Sequence, residues 1–556
     1  MFGARTRRCP ASIAVAVTAL AMLAGPQAAG ATGAPEHGAK TGAVVQTSDG
    51  PARGISRTRY DAWLGIPYAA PPVGALRWKA PQPPPRRSGV RDATRFGGRC
   101  VQGTGWDPGY EEPSLTEDCL YLNIYVPHGD WTGGRNGGRP VLVWIHGGGF
   151  TGGAGQDTDP RKYIGSTGAV YVTINYRLGA LGFLNLPQLR QEGGGGSFGL
   201  LDQQAALRWV QKNIARFGGD PDNVTIAGQS AGGSSVCDQL ASPTARGLFQ
   251  KAVIHSGGCS MASQVDADTA GQAYLQTVGC TDPASALACL RGKSPADLLA
   301  AQAKTPIRIG PSVGDRAFPL DPGVAVQTGR FNRVPVMDGQ VENERSLFVF
   351  QNNEFLGKPI TAESFEATIR DTYGANADKV LAAYPLSAFA SPAAALARVQ
   401  SDAATYGRLQ SQRQLAQWTP TYVYELDEKT TPQFYSIFRL QWLGEPARSF
   451  PFGATHVDDL PYLWEYLGHT LPFSDDQLEL SDQMIGFWSA FQHRASPNGP
   501  YLPEWPRFNG SQEWMSLAAC DTPESSGEPP AACSEARDIS SLVAYHKLDL
   551  WASIVG

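Results

Sequence analysis

The sequence is poor in charged residues and has no excess of positive charge. Charged residues make up 17% of the chain, and the formal net charge at pH 7 is −5. Such a chain presents no broad basic surface to the phosphates of a nucleic acid or to an anionic membrane. We therefore expect neither a nucleic acid nor a membrane surface as a partner.

Long apolar runs are also missing, because nothing after the N-terminal stretch reaches the roughly 20 residues that a membrane-spanning helix needs. The N-terminal run from Ala11 to Ala24 is itself too short, follows three arginines and precedes small residues that end at Ala31. This order is typical of a secretory signal peptide. We predict that residues 1–31 are a leader and that the protein is secreted without stable insertion in a membrane.

The chain lacks the features of a metal or cofactor site. No Cys/His cluster has zinc-site spacing and no glycine-rich run matches a phosphate-binding motif, so we expect neither a metal nor a cofactor. Eight of the nine cysteines follow the predicted leader, which favours disulfides in an oxidising compartment. Eight cysteines allow roughly a hundred connectivities, so the pairing by proximity is a hypothesis: Cys100–Cys119, Cys280–Cys289, Cys520–Cys533 and, by elimination, Cys237–Cys259.

What the chain does contain is a series of apolar runs with the composition of buried parallel strands. They are PVLVWI, AVYVTI, NVTIAG and KAVIH, and GLLDQQAALRWVQKNIARF between them has helical periodicity. Repetition of strand, helix and strand predicts an α/β fold, with a central mostly parallel sheet and helices on both faces. Helical and irregular stretches over residues 261–330 and 346–445 predict insertions over the carboxyl edge of that sheet.

The third strand runs directly into Gly228-Gln229-Ser230-Ala231-Gly232. Glycines on both sides of a serine permit a very sharp turn from strand to helix, which exposes the serine hydroxyl. A serine is a poor nucleophile alone, so it needs a base, an acid that orients the base, and donors for an oxyanion. The motif predicts Ser230 as a nucleophile.

A second glycine-rich stretch, HGGGF at residues 146–150, follows the first strand. Its backbone can present N–H groups to a developing negative charge without hindrance from side chains. We predict that Gly148 and Gly149, with the N–H of Ala231, form the oxyanion hole.

The base and its acid are expected to follow the serine in the order acid, then histidine. The histidines late enough in the chain are His456, His469, His493 and His546. His493 and His546 fit surface or packed positions better, and we predict His456, which lies in a glycine-containing turn, as the base. Three carboxylates follow an apolar strand, and local chemistry does not choose among them: Asp338, Glu342 and Glu344.

Further segments occur in a characteristic order along the chain, namely LGIPYAAPPVGALRW, EDCLYLNIYVP, WIHGGGF, INYRLGALGFL, GQSAGG and GATHVDDLPYLW. Through these segments nearly the whole predicted mature chain resembles the type-B carboxylesterase/lipase family, the cholinesterase-like branch of the α/β-hydrolases. The resemblance implies an α/β-hydrolase catalytic domain over residues 32–556, with Ser230 as nucleophile, His456 as general base and acid, and Glu344 as the acid. It also implies loops closed by Cys100–Cys119 and Cys280–Cys289.

Two departures from the family pattern concern the site. Gln229 stands where cholinesterases carry a glutamate, which argues against a choline ester. Asn343-Glu344-Arg345 replaces the usual Asp-Glu-Gly.

Several aromatic residues could line a substrate pocket, and packing in the core is the alternative for each. They are Trp106, Phe150, Phe348, Phe434, Tyr435 and Trp442.

The expected function is hydrolysis of small carboxylic esters through an acyl-enzyme. Two alternatives within the fold are a lipase for longer-chain acylglycerols and a specialised esterase for a complex natural product. A third is a non-catalytic binding protein, against which the presence of Ser230 and His456 argues. The sequence gives no indication of the acyl or alcohol specificity or of the oligomeric state.

Overall fold

The computed structural model describes residues 40–104, 112–129, 131, 137–433, 450–466, 468–520 and 534–555. Several predictions fall outside these ranges, namely the leader at residues 1–31, Trp106, Phe434, Tyr435, Trp442 and Cys533.

Strands occur from the beginning to the end of the described chain. They are β1 (Lys40–Thr47), β2 (Gly50–Ser56), β3 (Tyr60–Pro67), β4 (Arg91–Asp92), β5 (Tyr121–Pro127), β6 (Arg139–Ile145), β7 (Thr158–Asp159), β8 (Val170–Ile174), β9 (Gly219–Gln229), β10 (Lys251–His255), β11 (Val336–Val341), β12 (Thr421–Leu426), β13 (Glu465–Tyr466), β14 (Glu513–Leu517) and β15 (Glu535–Asp538).

Helices separate the central strands and fill the regions predicted as insertions. They are α1 (Arg161–Thr167), α2 (Gly179–Phe183), α3 (Pro187–Gln191), α4 (Phe198–Asn213), α5 (Ala231–Ala241), α6 (Gln264–Val278), α7 (Ala286–Gly292), α8 (Pro295–Lys304), α9 (Pro322–Gln327), α10 (Ser346–Asn352), α11 (Ala362–Tyr373), α12 (Ala377–Ala383), α13 (Pro392–Ala416), α14 (Leu460–Leu463), α15 (Asp475–Arg494), α16 (Ile539–Tyr545) and α17 (Leu548–Val555).

Most strands belong to one 13-stranded sheet in the order β1-β2-β3-β5-β8-β6-β9-β10-β11-β12-β14-β15, with β4 beside β2. Every neighbouring pair from β8 to β14 in this order is parallel. The sheet and its flanking helices confirm the predicted α/β class. The antiparallel wings at both edges were not predicted, because strands such as β1 are largely exposed and lack a continuous apolar run.

The central strands are apolar because both faces of the sheet are covered. All seven residues of β6 are buried. Their side chains alternate between the faces, so that Val141 and Val143 pack in one core cluster while Leu142 and Trp144 pack in another. Two-sided burial explains why these strands read as continuous apolar runs.

Disulfides tie neighbouring parts of the fold together, three of them with both cysteines in the described ranges. The structure joins Cys100 to Cys119, Cys237 to Cys259, and Cys280 to Cys289. The second of these fastens α5 to the segment that follows β10. In the described ranges, no helix combines the length and the apolar character needed to cross a bilayer.

Candidate active site

The turn between β9 and α5 holds Ser230 in an unusual backbone conformation, with φ 57° and ψ −120°. Non-glycine residues rarely adopt positive φ, and such strain is typical of functional positions. The turn is tight enough that a Cβ on Gly232 would lie 2.0 Å from the carbonyl oxygen of Ile145. The Ser230 N–H donates to the His255 carbonyl over 2.9 Å. The glycine is therefore required by close backbone approach, and Ser230 itself remains half-buried.

The loop after β6 runs beside this serine. Gly148 and Gly149 have φ values of 99° and 63°, and a Cβ on Gly147 would lie 3.3 Å from the Ser230 Cβ. Among the described residues, no protein acceptor receives a hydrogen bond from the Gly148 or Gly149 N–H group. Two free backbone donors thus lie in the loop that borders Ser230, which is the arrangement that an oxyanion hole needs.

His456 contacts one of the three candidate carboxylates directly. Its Nδ1 forms a very short hydrogen bond with Oε1 of Glu344, and both residues are buried. Because a carboxylate accepts, Nδ1 carries the proton and Nε2 presents a lone pair. Nε2 has no hydrogen-bond partner in the described part of the chain, so Ser230 Oγ does not yet bond to it. Such bonds are often long before a substrate binds.

The other oxygen of Glu344 is held by Ser256, whose hydroxyl donates to Oε2 over 3.0 Å. Ser256 directly follows β10 and has a φ of 48°. Its hydroxyl satisfies the carboxylate oxygen that faces away from His456, and this fixes the orientation of the carboxyl plane. Sequence reasoning missed this residue, since nothing in the local HSGG stretch indicates a partner 88 positions away.

The loops that carry the acid and the base are bonded to each other. The Asn343 N–H donates to the Ala454 carbonyl over 2.8 Å, and the Ala454 N–H returns a bond to Asn343 Oδ1 over 3.1 Å. The Ser346 hydroxyl also bonds to Thr455 Oγ1 over 2.8 Å. These bonds set the spacing between Glu344 and His456.

A further bond connects the base to the residue before the serine. Gln229 Nε2 donates to the His456 carbonyl oxygen over 2.6 Å, and both residues are buried. In the sequence, Gln229 is notable only because it is neutral at a position where cholinesterases carry a glutamate. Its amide in fact links the serine turn to the histidine loop.

The other two candidate carboxylates form ion pairs with basic side chains. Asp338 pairs with Arg408 over 3.0 Å, and burial raises its pKa to about 6 against the opposing effect of that arginine. Glu342 pairs with Arg398 and Lys429. Neither is recorded in contact with His456.

The other late histidines are likewise bonded away from Ser230. His493 Nε2 bonds to the Thr167 carbonyl, and His546 lies between Asp402 and Glu425. His469 is bonded to Tyr466 through its backbone.

Two of the predicted pocket aromatics differ in their surroundings. The Phe348 ring centroid lies 4.7 Å from that of His456, and Phe348 is half-buried. Phe150 is 6% exposed and packs edge-on against Phe183, with the centroids 5.2 Å apart. Phe348 therefore lies beside the imidazole of His456, whereas Phe150 belongs to the core. A cavity of about 430 Å³ opens elsewhere, at the far end of α5 beside Ala241 and Arg330.

Comparison with known proteins agrees with this architecture. Residues 41–528 match the model of the carboxylesterase family. The chain is 33% identical to a para-nitrobenzyl esterase of Bacillus subtilis over 494 residues, which is 84% of this chain and 92% of the relative. It is 32% identical to a cocaine esterase of Homo sapiens, covering 82% of this chain and 83% of the relative. A fumonisin B1 esterase of Sphingopyxis macrogoltabida is also 32% identical, with 86% of each chain covered.

Solved structures give the same result. A carboxylesterase of Geobacillus stearothermophilus superposes with a TM-score of 0.74 and 30% sequence identity, covering 91% of this chain and 99% of that one. A thermophilic PNB esterase superposes with the same TM-score of 0.74 at 28% identity. The chain therefore belongs to the carboxylesterase family and is a carboxylic ester hydrolase.

Proposed function

We propose that the protein is a secreted serine esterase that cleaves small carboxylic esters through an acyl-enzyme, with Ser230, Glu344 and His456 as its catalytic triad. The observation that carries the proposal is the bond between His456 Nδ1 and Glu344, which in a neutral imidazole places the lone pair on Nε2, an atom with no hydrogen-bond partner among the described residues. A base in this state can take the serine proton.

In the first half of the reaction, Ser230 Oγ forms a bond to the ester carbonyl carbon as its proton passes to His456 Nε2. The carbonyl oxygen becomes negative and is bound by the N–H groups of Gly148, Gly149 and Ala231. The C–O bond to the alcohol then breaks, and the departing oxygen takes the proton from Nε2. Glu344 holds the imidazole in the required tautomer and stabilises its charged form.

The second half repeats the steps with water. His456 Nε2 removes a proton from a water molecule, whose oxygen attacks the acyl carbon. The bond to Ser230 Oγ breaks, the serine recovers its proton and the carboxylic acid departs. Each residue returns to its starting state, so the chemistry requires no cofactor.

The test is hydrolysis of p-nitrophenyl esters from acetate to palmitate by wild type and by Ser230→Ala, with both proteins checked for folding by circular dichroism. We expect turnover that is highest with short acyl chains and falls by about 10³-fold or more in the variant. Undiminished turnover by a folded Ser230→Ala protein would refute the serine mechanism.

A peak at long acyl chains would instead identify a lipase. If neither protein hydrolysed any ester, labelling of Ser230 by an organophosphate would separate two remaining alternatives. A labelled serine indicates an esterase with a specialised substrate, and an unlabelled one indicates a non-catalytic binding protein.

The proposal of export rests on the leader pattern at residues 1–31 and is compatible with the three disulfides between described cysteines. It assigns residues 32–556 to one catalytic domain. N-terminal sequencing of protein recovered from the culture medium should give a first residue directly after Ala31. Recovery of the full-length chain from inside the cell alone would contradict it.

A further inference from the structure

An arginine lies against the loop that offers the oxyanion donors. Arg308 follows α8, and its Nη2 donates to the Gly149 carbonyl over 2.8 Å. A Cβ on Gly149 would lie 3.8 Å from the same nitrogen. A guanidinium has five N–H donors, and the bond to Gly149 uses one of them. Arg308 makes no other side-chain hydrogen bond in the described ranges, so its other donors are available to a ligand.

A second arginine approaches from the side of the base. The Arg345 guanidinium carbon lies 5.5 Å from the centre of the Phe348 ring, and that ring lies 4.7 Å from the ring of His456. Arg345 directly follows Glu344 in the sequence, so its backbone is fixed beside the acid that contacts His456. Both arginines are exposed to solvent.

Neither cation is paired with a carboxylate in the part of the chain that the structure describes. Throughout the described residues, no aspartate or glutamate lies within ion-pair distance of Arg308 or Arg345, although many other arginines are paired, such as Arg177 with Asp202. Glu344, the carboxylate of the site, is buried and bonded to His456 and Ser256.

Partial desolvation lowers the pKa of Arg308, although its side chain remains exposed at the surface, and no carboxylate of the described residues offsets this effect. An arginine nonetheless stays charged in proteins. Among the described residues, the positive charge of these two arginines is therefore not balanced by an ion pair, in a molecule whose net charge is −5.

We propose, resting on the function proposed above, that the preferred substrates are esters whose acyl part carries a free carboxylate, and that Arg308 is the residue that selects them. The planar guanidinium matches a carboxylate with two parallel N–H donors. In the proposed mechanism the Gly149 N–H donates to the carbonyl oxygen of the acyl group, and the position of Arg308 beside Gly149 therefore favours a carboxylate carried by that same group. Arg345 adds to the positive field, and the neutral amide of Gln229 does not oppose it.

The experiment compares monoethyl glutarate with the ethyl ester of its neutral terminal amide, which has the same shape without the charge. Release of ethanol gives kcat/KM for both substrates on one preparation, so that loss of folded enzyme cancels from their ratio. For wild type we expect the ratio to favour the carboxylate and to fall as salt is added. In Arg308→Gln it should fall about tenfold, as loss of a charge-assisted hydrogen bond implies, while Arg308→Lys should retain part of the preference.

The matched control is Arg330→Gln, an exposed arginine that lines the cavity at the far end of α5. It should leave the ratio unchanged. A wild-type preference for the neutral amide, or an unchanged ratio in Arg308→Gln, would overturn the inference while leaving the esterase mechanism intact. Hydrolysis of either ester by Ser230→Ala would instead overturn the proposed function.

Discussion

At the scale of single residues, the side-chain amide of Gln229, which precedes the proposed nucleophile, holds the loop that carries the proposed base, His456. This side chain reaches the His456 carbonyl, 227 positions away in the sequence, over 2.6 Å. The peptide that follows His456 is thereby anchored to the end of β9. A glutamate at this position would be an acceptor when ionised and would repel the same carbonyl oxygen.

We therefore expect Gln229→Met to lower kcat about tenfold with little change in KM, because the His456 loop loses its anchor and the buried carbonyl loses its donor. Gln229→Glu, which preserves size but replaces the donor with an acceptor, should do the same. Steady-state kinetics on p-nitrophenyl acetate measure both parameters. Gln211→Met is the control, since Gln211 also donates to backbone carbonyls but at Pro221 and Leu248. A wild-type kcat in both Gln229 variants would contradict the positioning role.

At the scale of elements, the site is assembled from loops at one edge of the sheet. The strands β6, β9, β10 and β11 are parallel neighbours, so their carboxyl ends emerge side by side. Each delivers one part of the site in the loop that follows it, and ligand sites of open α/β sheets lie at this edge. The sharpness of each turn after a strand determines how closely the functional groups of neighbouring loops approach one another.

Gly232 is the most constrained point of the turn after β9. Gly232→Ala would bring a Cβ to 2.0 Å from the Ile145 carbonyl oxygen and 2.8 Å from that of His146. Because both are backbone atoms at the end of β6, the turn or the strand must move. We expect the free energy of unfolding to fall by about 3 kcal/mol and activity to fall by about 100-fold, as misplacement by an ångström does.

Gly165→Ala is the matched control for this substitution. Gly165 lies in α1, is exposed, and a Cβ there would meet nothing within 4 Å. Alanine should stabilise the helix by roughly 0.5–1 kcal/mol and leave activity unchanged. Denaturant unfolding and ester hydrolysis give both quantities. Equal stability of the two variants would show that the turn after β9 tolerates a side chain.

At the scale of the whole molecule, a buried histidine between two carboxylates links the C-terminal helices to α13 and to the sheet. His546 follows α16 and is fully buried, with Nδ1 2.7 Å from Asp402 of α13 and Nε2 3.0 Å from Glu425 of β12. Both ring nitrogens face carboxylate oxygens, so both donate and the ring is charged. Burial alone would lower the pKa of His546, but Glu425 and Asp402 outweigh it and raise the pKa to about 9.

The raised pKa makes stability dependent on pH in a defined direction. With a folded-state pKa of about 9 and an ordinary value of 6.5, the stabilisation is complete below pH 6.5 and is lost as the pH rises through 9. It amounts to about 3 kcal/mol. The difference in unfolding free energy between wild type and His546→Gln should therefore narrow by about that amount between pH 6.5 and pH 10.

His493→Gln serves as the control, because burial lowers the pKa of His493. The difference in unfolding free energy between His493→Gln and wild type should stay constant over the same alkaline range. Urea unfolding at a series of pH values provides the measurement. If the difference in unfolding free energy between His546→Gln and wild type were also constant, the imidazole of His546 would be neutral in the folded wild-type protein.

The sequence by itself determined the parts of the site that depend on neighbouring residues. The turn at Ser230 and the loop of Gly148 and Gly149 need backbone conformations and close approaches that only glycines permit, so they are visible as short motifs. The parallel core of the sheet is visible for a similar reason, since two-sided burial demands uninterrupted apolar strands.

Only the tertiary structure decided which distant groups meet. Local chemistry left Asp338, Glu342 and Glu344 equivalent, and the family resemblance rather than any physical argument favoured Glu344. The contacts of Glu344 with His456 and Ser256, of Gln229 with His456, and of Arg308 with Gly149 join residues 88 to 227 positions apart. Such contacts follow from the order of the strands in the sheet and the path of the loops, which no local pattern of side chains encodes.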